Sequence, residues 1–337
     1  MKPKAAKRIG SCLIILLICA ILLSISWGSY SISFSEILQV MLGGGSKMQQ
    51  IAIFSLRLPR IVIAMLVGSA LAVSGGLLQS ITRNELADAG IMGINAGASL
   101  AAVLYIFSQG NLYYEAINNF TIFTLPFIAL IGSLLSALFI FLISSRHGIR
   151  PNRLLLCGIG VNIAINAIIS FLTFQGSSSD YNRVLVWTSG SLWGSSWNYV
   201  LAILPMISIA LLIVFYRHKA MDVLTLGDEI ATGIGQHVEK ERRIMLFLAV
   251  ILAGAATSVA GNISFLGLLG PHIAKRLVGY QHKRFLPIAM LIAMIVIVIA
   301  DAISRNLFSP LEVPVGITIS LVGVPYFIYL MLKEKSS

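Results

Sequence analysis

Four small or polar residues recur at intervals of four within one apolar stretch: Gly158, Asn162, Asn166 and Ser170. On a helix, this spacing places their side chains on one stripe. A carboxamide that faces lipid is costly, so the stripe either packs against another helix or faces a wet cavity. The residues alone leave both interpretations open.

Three arginines at the ends of other apolar stretches form a second candidate set. Arg57 and Arg60 precede one stretch, and Arg305 follows another. Arginine at such a boundary either snorkels to lipid phosphates or pairs bidentately with the carboxylates of a partner protein, and spacing does not decide between these. Asp301 lies four residues before Arg305, and we expect it to be a helix-terminal ion-pair partner of Arg305 rather than a proton relay.

The segment 217–243 is polar and lies between two apolar stretches. Thr225 followed by Asp228 resembles a capping box, and apolar residues recur at intervals of four on one side. These apolar residues are Leu226, Ile230 and Ile234. The pattern predicts short amphipathic helices whose apolar ridge docks into a groove on a cytosolic partner or folds back onto the chain itself.

Residue patterns for catalysis, metal binding or nucleotide binding are not found in the sequence. The run Gly43-Gly44-Gly45-Ser46-Lys47 lacks the spacing of a phosphate-binding loop. The five histidines are scattered, and the three cysteines form no Cys-x-x-Cys pair. We therefore expect no catalytic residues, no metal site and no cofactor.

The composition defines the elements that must position these residues. Of the 337 residues, 57% are hydrophobic and 11% are charged, which excludes a soluble two-domain protein. At about 20 residues per span, a chain of this length accommodates about ten membrane-spanning helices. Nine clear apolar runs cover about residues 11–31, 61–80, 90–107, 121–144, 154–174, 199–216, 244–262, 286–303 and 314–332. Their length and continuity favour helices over the strands of a membrane barrel.

The distribution of the cations predicts the orientation. Both termini are basic, with Lys2, Lys4, Lys7 and Arg8 at one end and Lys333 and Lys335 at the other. Both ends are therefore expected in the cytoplasm, which requires an even number of spans. The stretch 265–278 supplies a short eighth span that is acceptable when other helices enclose it.

With ten spans, most of the 24 lysines and arginines fall on the cytoplasmic side. The exceptions are Lys47, Arg57, Arg60, Arg183 and Arg305. The net charge of +11 is thus an orientation signal, and no nucleic-acid partner is expected. The first apolar run is longer than a signal-peptide core, so we interpret it as a retained span.

Several motifs together resemble the FecCD family, the permease subunits of ABC importers for iron-siderophores, haem and cobalamin. They are Arg57-Leu-Pro-Arg60, Asn84-Glu-Leu-Ala-Asp88, Leu226-Gly-Asp-Glu-Ile-Ala231, Phe265-Leu-Gly-Leu-Leu-Gly-Pro-His-Ile-Ala-Lys-Arg276 and Glu312-Val-Pro-Val-Gly316. The matches run in the expected order from about residue 51 to 332. The resemblance implies ten spans with a short eighth.

The resemblance also implies roles for the three candidate sets. Arg57, Arg60 and Arg305 match arginines that meet glutamates on an extracytoplasmic substrate-binding protein. The fifth span, with Gly158, Asn162, Asn166 and Ser170, matches the wall of the central pathway at a two-fold dimer interface. The family's coupling helices, which sit in a cleft of the ATPase subunit, match Leu226, Gly227, Asp228, Glu229, Ile230 and Ala231.

One segment departs from the family pattern. Where relatives usually have Asn-Pro-Leu-Ala-Asp-Pro, this chain has Glu85 and Ala89 in place of the two prolines. We expect the loop to be more acidic and less restricted in φ. A heterodimer partner that carries the standard version would be consistent with this departure.

The sequence thus predicts an all-α polytopic membrane protein in the cell membrane, with ten transmembrane helices and both termini cytoplasmic. Residues 1–337 form one permease domain, and the segment 217–243 is its coupling loop. The expected partners are two cytosolic ATPase subunits, a substrate-binding protein and a second, identical or similar permease subunit. The expected substrate is an iron-siderophore, and the chain itself breaks no bond. Cobalamin or haem import, and secondary transport driven by an ion gradient, are the alternatives.

Overall fold

The computed structural model describes residues 3–28, 30–109, 119–145, 151–307 and 311–334. Lys2, His147 and Lys335, which entered the sequence predictions, lie outside these residues. The described residues form helices joined by short loops, and they contain no strand. The predicted all-α class is therefore confirmed.

The helices fall into two length classes. The longer ones are α1 (Pro3–Ser26), α4 (Leu58–Thr82), α5 (Ile94–Gln109), α6 (Asn119–Ser144), α7 (Pro151–Gln175), α9 (Trp197–Tyr216), α12 (Val238–Ala260), α13 (Leu266–Val278), α14 (His282–Asn306) and α15 (Val315–Glu334). The shorter ones are α2 (Phe34–Met41), α3 (Lys47–Gln50), α8 (Ser178–Thr188), α10 (His218–Thr225) and α11 (Asp228–Gly233). A π-helical segment, Ile51–Arg57, joins α3 to α4.

Each of the ten predicted spans coincides with one of the longer helices. Among the described residues, seven helices are long and apolar enough to cross a membrane by length and composition. The stretches Ile94–Ser108 and Val315–Tyr329 are apolar but shorter. Helix α13, with 13 residues, is about 20 Å long at 1.5 Å per residue, which is less than a bilayer core. A polytopic membrane protein is supported, and the number of ten spans stays a prediction.

Helix α4 occupies the centre of the bundle and packs against α12, α13 and α14. Small residues allow these helices to approach closely. A Cβ added to Gly75 of α4 would lie 1.9 Å from the carbonyl oxygen of Gly267 in α13, so this crossing requires glycine. Helices α1 and α7 lie at the periphery and bury only 22% and 17% of their apolar segments.

The helical conformation is interrupted between α12 and α13, at residues 261–265, and this interruption is called the break. Gly261 and Phe265 both have positive φ values, of 68° and 69°. This conformation is unusual for an aromatic residue and requires support from its surroundings. Gly323 of α15 provides it, because a Cβ added there would lie only 2.7 Å from the Phe265 ring. The break therefore depends on close packing between α13 and α15.

Candidate functional site

An open pocket of about 290 Å³ lies beside the break between α12 and α13. Its polar lining comes from Asp88, Asn162, Asn166, Asn262 and Ser264. The aromatic lining residues are Phe265 and Phe327, whose ring centroids are 6.4 Å apart. The pocket thus combines carboxamides, a carboxylate and aromatic rings inside an otherwise apolar bundle.

The stripe on α7 divides between different environments. Asn162 and Asn166 line the pocket, and the Asn166 amide donates to the Oδ1 of Asn162 at 2.8 Å. Gly158 is buried against the backbone of Met92. Ser170 is exposed and does not line the pocket. Helix packing and cavity lining, which the sequence left as alternatives, therefore apply to different residues of one stripe.

The sequence analysis did not identify three polar residues of the pocket. Asp88 lies in the loop 83–93 after α4, and Asn262 and Ser264 lie in the break before α13. Asn95 positions Asn262 by donating to its Oδ1 at 3.2 Å, and it accepts a hydrogen bond from Thr257. The sequence feature that could have identified these residues is a polar residue near a glycine at the edge of an apolar run.

The loop 83–93 makes specific contacts where the usual prolines are replaced. The Oε2 of Glu85 lies 3.4 Å from the Nδ1 of His272 on α13, and Tyr280 also contacts this carboxylate. The hydrogen bond with His272 holds the pKa of Glu85 below its ordinary value, although burial opposes this. Ala89 is buried. Side-chain contacts thus restrain the loop 83–93, which the absence of the two family prolines was expected to loosen.

The arginines predicted at the outer face lie close together and point inward. Arg60 donates from Nε to Asp301 and from a terminal nitrogen to Glu312, each at 2.9 Å. The Nε of Arg305 lies 3.1 Å from the other Asp301 oxygen. The predicted pairing of Asp301 with Arg305 is confirmed, and Asp301 also serves Arg60.

Arg57 and Arg305 additionally fasten the end of α1. The Arg57 guanidinium is only 7% exposed and donates to the carbonyl oxygens of Ile25 and Tyr30. Arg305 donates to the hydroxyl of Ser24 at 2.8 Å. In this structure, the two side chains stabilise contacts between α1, α4 and α14 rather than project outward.

The segment 217–243 contains the predicted short helices, α10 and α11, and an outward ridge. Leu226, Ile230 and Ile234 are 59%, 53% and 63% exposed. Such exposure of three large apolar residues is typical of a docking surface. Ala231, by contrast, is fully buried and cannot contact a partner.

The predicted capping box at Thr225 and Asp228 is wrong. Thr225 is the last residue of α10, and its hydroxyl donates to the carbonyl of Asp222 at 2.7 Å. Helix α11 begins after Gly227, which has a φ of 117° and provides no side-chain cap. A turn between the two helices, permitted by glycine, replaces the expected single helix start.

Asp228 faces the bundle instead of the exposed ridge. Its carboxylate accepts hydrogen bonds from Arg242 at 2.5 and 3.0 Å and a further one from Arg83. Burial opposes ionisation, but the two arginines hold the pKa of Asp228 below its ordinary value. The carboxylate is therefore charged and internally paired at neutral pH.

A second inward carboxylate, Asp222 on α10, contacts the first residue of α14. It lies 2.6 Å from the Nδ1 of His282, whose Nε2 lies 2.7 Å from the hydroxyl of Ser80 on α4. His282 is buried. Each short helix thus pairs one carboxylate with the bundle. The apolar residues Met221 and Leu224 of α10 are buried, whereas Ile230 of α11 is exposed.

Comparison with known proteins shows similarity along nearly the whole chain. The sequence model of the FecCD transport family matches residues 15–333. The iron(3+)-hydroxamate import system permease protein FhuG of Bacillus subtilis (strain 168) is 43% identical over 95% of this chain and 95% of its own length. The iron-uptake system permease protein FeuC of the same organism is 36% identical over 93% of each chain.

A more distant curated relative and a solved structure agree with these matches. The Fe(3+) dicitrate transport system permease protein FecD of Escherichia coli (strain K12) is 33% identical over 83% of this chain and 84% of its own length. A structure described as an inward-facing conformation of a metal-chelate type ABC transporter superposes with a TM-score of 0.85 at 28% identity. It covers 97% of this chain and 99% of its own.

Proposed function

The chain belongs to the FecCD transport family, and from this premise we propose that it is a permease subunit of an ABC importer that carries an iron-siderophore. It is a multi-pass protein of the cell membrane. The observation that carries the proposal is the open pocket lined by Asn162, Asn166 and Asn262 inside an apolar bundle. A wet, polar pocket at such a position is typical of a transport pathway.

We further propose ten spans in one permease domain of residues 1–337, with both termini in the cytoplasm. Helix α13 is the short eighth span. Its buried residues and its packing against α4 and α14 support this, because a helix too short to face lipid is acceptable when protein encloses it. The segment 217–243 then lies in the cytoplasm and forms part of the same domain.

The pathway itself lies between α7 and the break that precedes α13. We propose that Gly158, Asn162, Asn166 and Ser170 face it at different depths, with Gly158 setting the packing and the two asparagines supplying polar contacts. Helix α7 leaves large apolar residues such as Phe171 and Phe174 exposed. These residues suit a second permease subunit, identical or similar, across the pathway.

The energy source is proposed to be a pair of cytosolic ATPase subunits, and ATP hydrolysis takes place in those chains. The ridge Leu226, Ile230 and Ile234 supports this assignment because it offers an exposed apolar surface on short helices. The coupling segment extends from Leu226 to Ala231 and includes Gly227, Asp228 and Glu229.

An extracytoplasmic binding protein is proposed to dock near Arg57, Arg60 and Arg305. Within this cluster, Arg60 is the arginine that a partner reaches, because its ion-pair partner Glu312 is 36% exposed. A glutamate of the binding protein can compete with Glu312 for Arg60. Arg57 and Arg305 support the site from below through their contacts with α1.

The substrate class can be tested in cells that carry the gene. The names of the relatives specify iron(3+)-hydroxamate, iron and Fe(3+) dicitrate, which favours an iron chelate over cobalamin or haem. Deletion of the gene should abolish growth on a ferric hydroxamate or a related siderophore under iron limitation, and the intact gene should restore it. Loss of growth only when haem or cobalamin is required would contradict the proposal.

A further inference from the structure

Resting on the proposed function, we infer that Asp228 is a positioning residue that links α11 to the pathway inside this chain. Its carboxylate joins α11 to the cytoplasmic ends of α4 and α12. Through Arg83 it is connected to the loop 83–93, part of which lines the pocket. Displacement of α11 by an ATPase subunit is then transmitted to the pocket wall.

The side chain of Asp228 points toward Arg242 of α12 and Arg83 at the end of α4. Asp228 is the first residue of α11 and follows Gly227, whose φ of 117° turns the chain sharply. Leu226 and Ile230 face outward on either side of it. The docking residues Leu226 and Ile230 therefore flank the Asp228 carboxylate within residues 226–230, so displacement of the docking residues displaces the carboxylate, whose side chain is 46% exposed.

The Asp228 carboxylate binds two arginines, Arg242 and Arg83. Arg242 lies in the first turns of α12, is 4% exposed and holds both carboxylate oxygens of Asp228. Bidentate pairing of this kind fixes orientation as well as distance. Arg83 binds the same carboxylate and also donates to the carbonyl of Leu224 in α10 at 3.2 Å. One buried cation, Arg242, and one exposed cation, Arg83, thus converge on one residue of α11.

Both arginines lie on segments of the chain that continue into residues lining the pocket. Arg83 terminates α4 in a left-handed conformation with a φ of 51°, and the next residues are the loop that carries Asp88 and Gly90 into the pocket. From Arg242, helix α12 runs to Ala260, and the chain continues into Asn262 and Ser264, which also line the pocket. Both segments that meet at Asp228 therefore end in pocket-lining residues.

A neighbouring ion pair provides a matched control. Glu239 and Arg243 lie on the first turns of the same helix, α12, and are 3.0 Å apart. Both side chains are more than half exposed, and among the described residues neither forms a hydrogen bond or ion pair with α11 or α4 or lines the pocket. Removing this pair eliminates one carboxylate–arginine contact of α12 and leaves the contacts of Asp228 with Arg83 and Arg242 intact.

The link can be tested in proteoliposomes that contain the chain with its ATPase and partner permease. The quantity measured is uptake of a radiolabelled ferric hydroxamate per ATP hydrolysed. We expect Asp228→Asn, Arg83→Gln and Arg242→Gln each to lower this ratio by about tenfold, the range of a typical coupling free energy. The double variant Asp228→Asn with Arg83→Gln should be no worse than either single variant, Asp228→Glu should retain most of the ratio, and Glu239→Gln should leave it unchanged.

Three outcomes would overturn the inference. The first is a normal uptake-to-hydrolysis ratio in Asp228→Asn. The second is a double variant whose loss is the product of the two single losses, because independent effects multiply. The third is failure of Asp228→Asn to copurify with the ATPase while Arg83→Gln assembles normally, because Asp228 would then be a docking contact.

A second measurement does not depend on transport, so it separates this inference from the proposed function. A spin label on Leu86→Cys, with Cys12, Cys19 and Cys157 replaced by serine, reports the mobility of the loop 83–93 in the purified chain. Asp228→Asn should raise the label's mobility, and Glu239→Gln should not. An unchanged spectrum in Asp228→Asn would contradict the link even if the wild-type complex transports iron, and a raised mobility would support it even if that complex carries another substrate.

Discussion

At the scale of the residue, two carboxylates, one near each end of the bundle, are each paired with two arginines of the same chain. Arg60 and Arg305 share Asp301 at one end, and Asp228 is shared by Arg83 and Arg242 at the other. A buried arginine that loses its carboxylate partner is strongly destabilising, because an uncompensated charge is left behind. Substitutions at these positions therefore test structure and function together and require matched controls.

Reversal of Arg60 to glutamate places a third carboxylate beside Asp301 and Glu312. We expect Arg60→Glu to lower uptake by about tenfold or more, since like charges meet and the cation proposed to meet the binding protein is lost. Uptake and membrane insertion are measured together. The control is Lys47→Glu, which reverses an exposed cation of α3 and should have little effect. Normal uptake in Arg60→Glu would contradict docking at this cluster.

Replacement of the pocket asparagines tests the pathway. Asn162→Leu with Asn166→Leu keeps the approximate size of both side chains but removes their hydrogen-bonding groups from the pocket. We expect a severalfold lower uptake rate with unchanged protein yield, because a polar substrate loses its polar wall. Thr173→Val on the same helix, away from the pocket, should transport normally. Equal rates for both variants would argue against a pathway beside α7.

At the scale of the element, long apolar runs predicted nine of the ten longer helices of the described residues, because hydropathy is strong over about 20 residues. The tenth, α13, was predicted from the even number of spans that two cytoplasmic termini require. The short helices α2, α3 and α8 were not predicted, since they have no comparable signal. The start of α11 was also misassigned. The sequence pattern placed a helix cap at Thr225, but Thr225 belongs to α10, and Gly227, with a positive φ, separates α10 from α11. Such features depend on backbone geometry that a residue pattern does not specify.

The contact between Phe265 and Gly323 can be tested by adding one methyl group. A Cβ at Gly323 would lie 2.7 Å from the Phe265 ring, so Gly323→Ala should destabilise the protein by about 1–3 kcal/mol through overpacking. Thermal unfolding in detergent measures this as a lower midpoint. Gly160→Ala on α7 is the control, because no atom lies within 4 Å of its added Cβ. An unchanged midpoint for Gly323→Ala would show that the break before α13 is loosely packed.

At the scale of the whole molecule, we propose that the exposed apolar face of α7 meets a second permease subunit. The pocket is open and α7 forms one of its walls, so a second subunit on the far side would complete an enclosed path. The spacing of Asn162 and Asn166 left helix packing and cavity lining open, and the family resemblance predicted this wall. It could not predict Asp88, Asn262 and Ser264, because loops distant in the sequence bring them to the same pocket.

Cross-linking tests the subunit arrangement. Phe174 on α7 is 91% exposed, and we expect Phe174→Cys to form a disulfide-linked dimer in membranes if two copies of the chain face each other. Gel electrophoresis without reductant detects the product. Leu23→Cys, on the exposed face of peripheral α1, is the control and should remain monomeric. A monomer in both variants would favour a heterodimer or a different interface.

We expect this chain to move an iron chelate only when ATPase subunits drive it. Reconstitution of the chain in liposomes, with and without the ATPase, the partner permease and the binding protein, tests it most directly. We expect uptake of a radiolabelled ferric siderophore only in the complete system with ATP. Uptake by the chain alone under a proton or sodium gradient would contradict the claim and identify a secondary transporter.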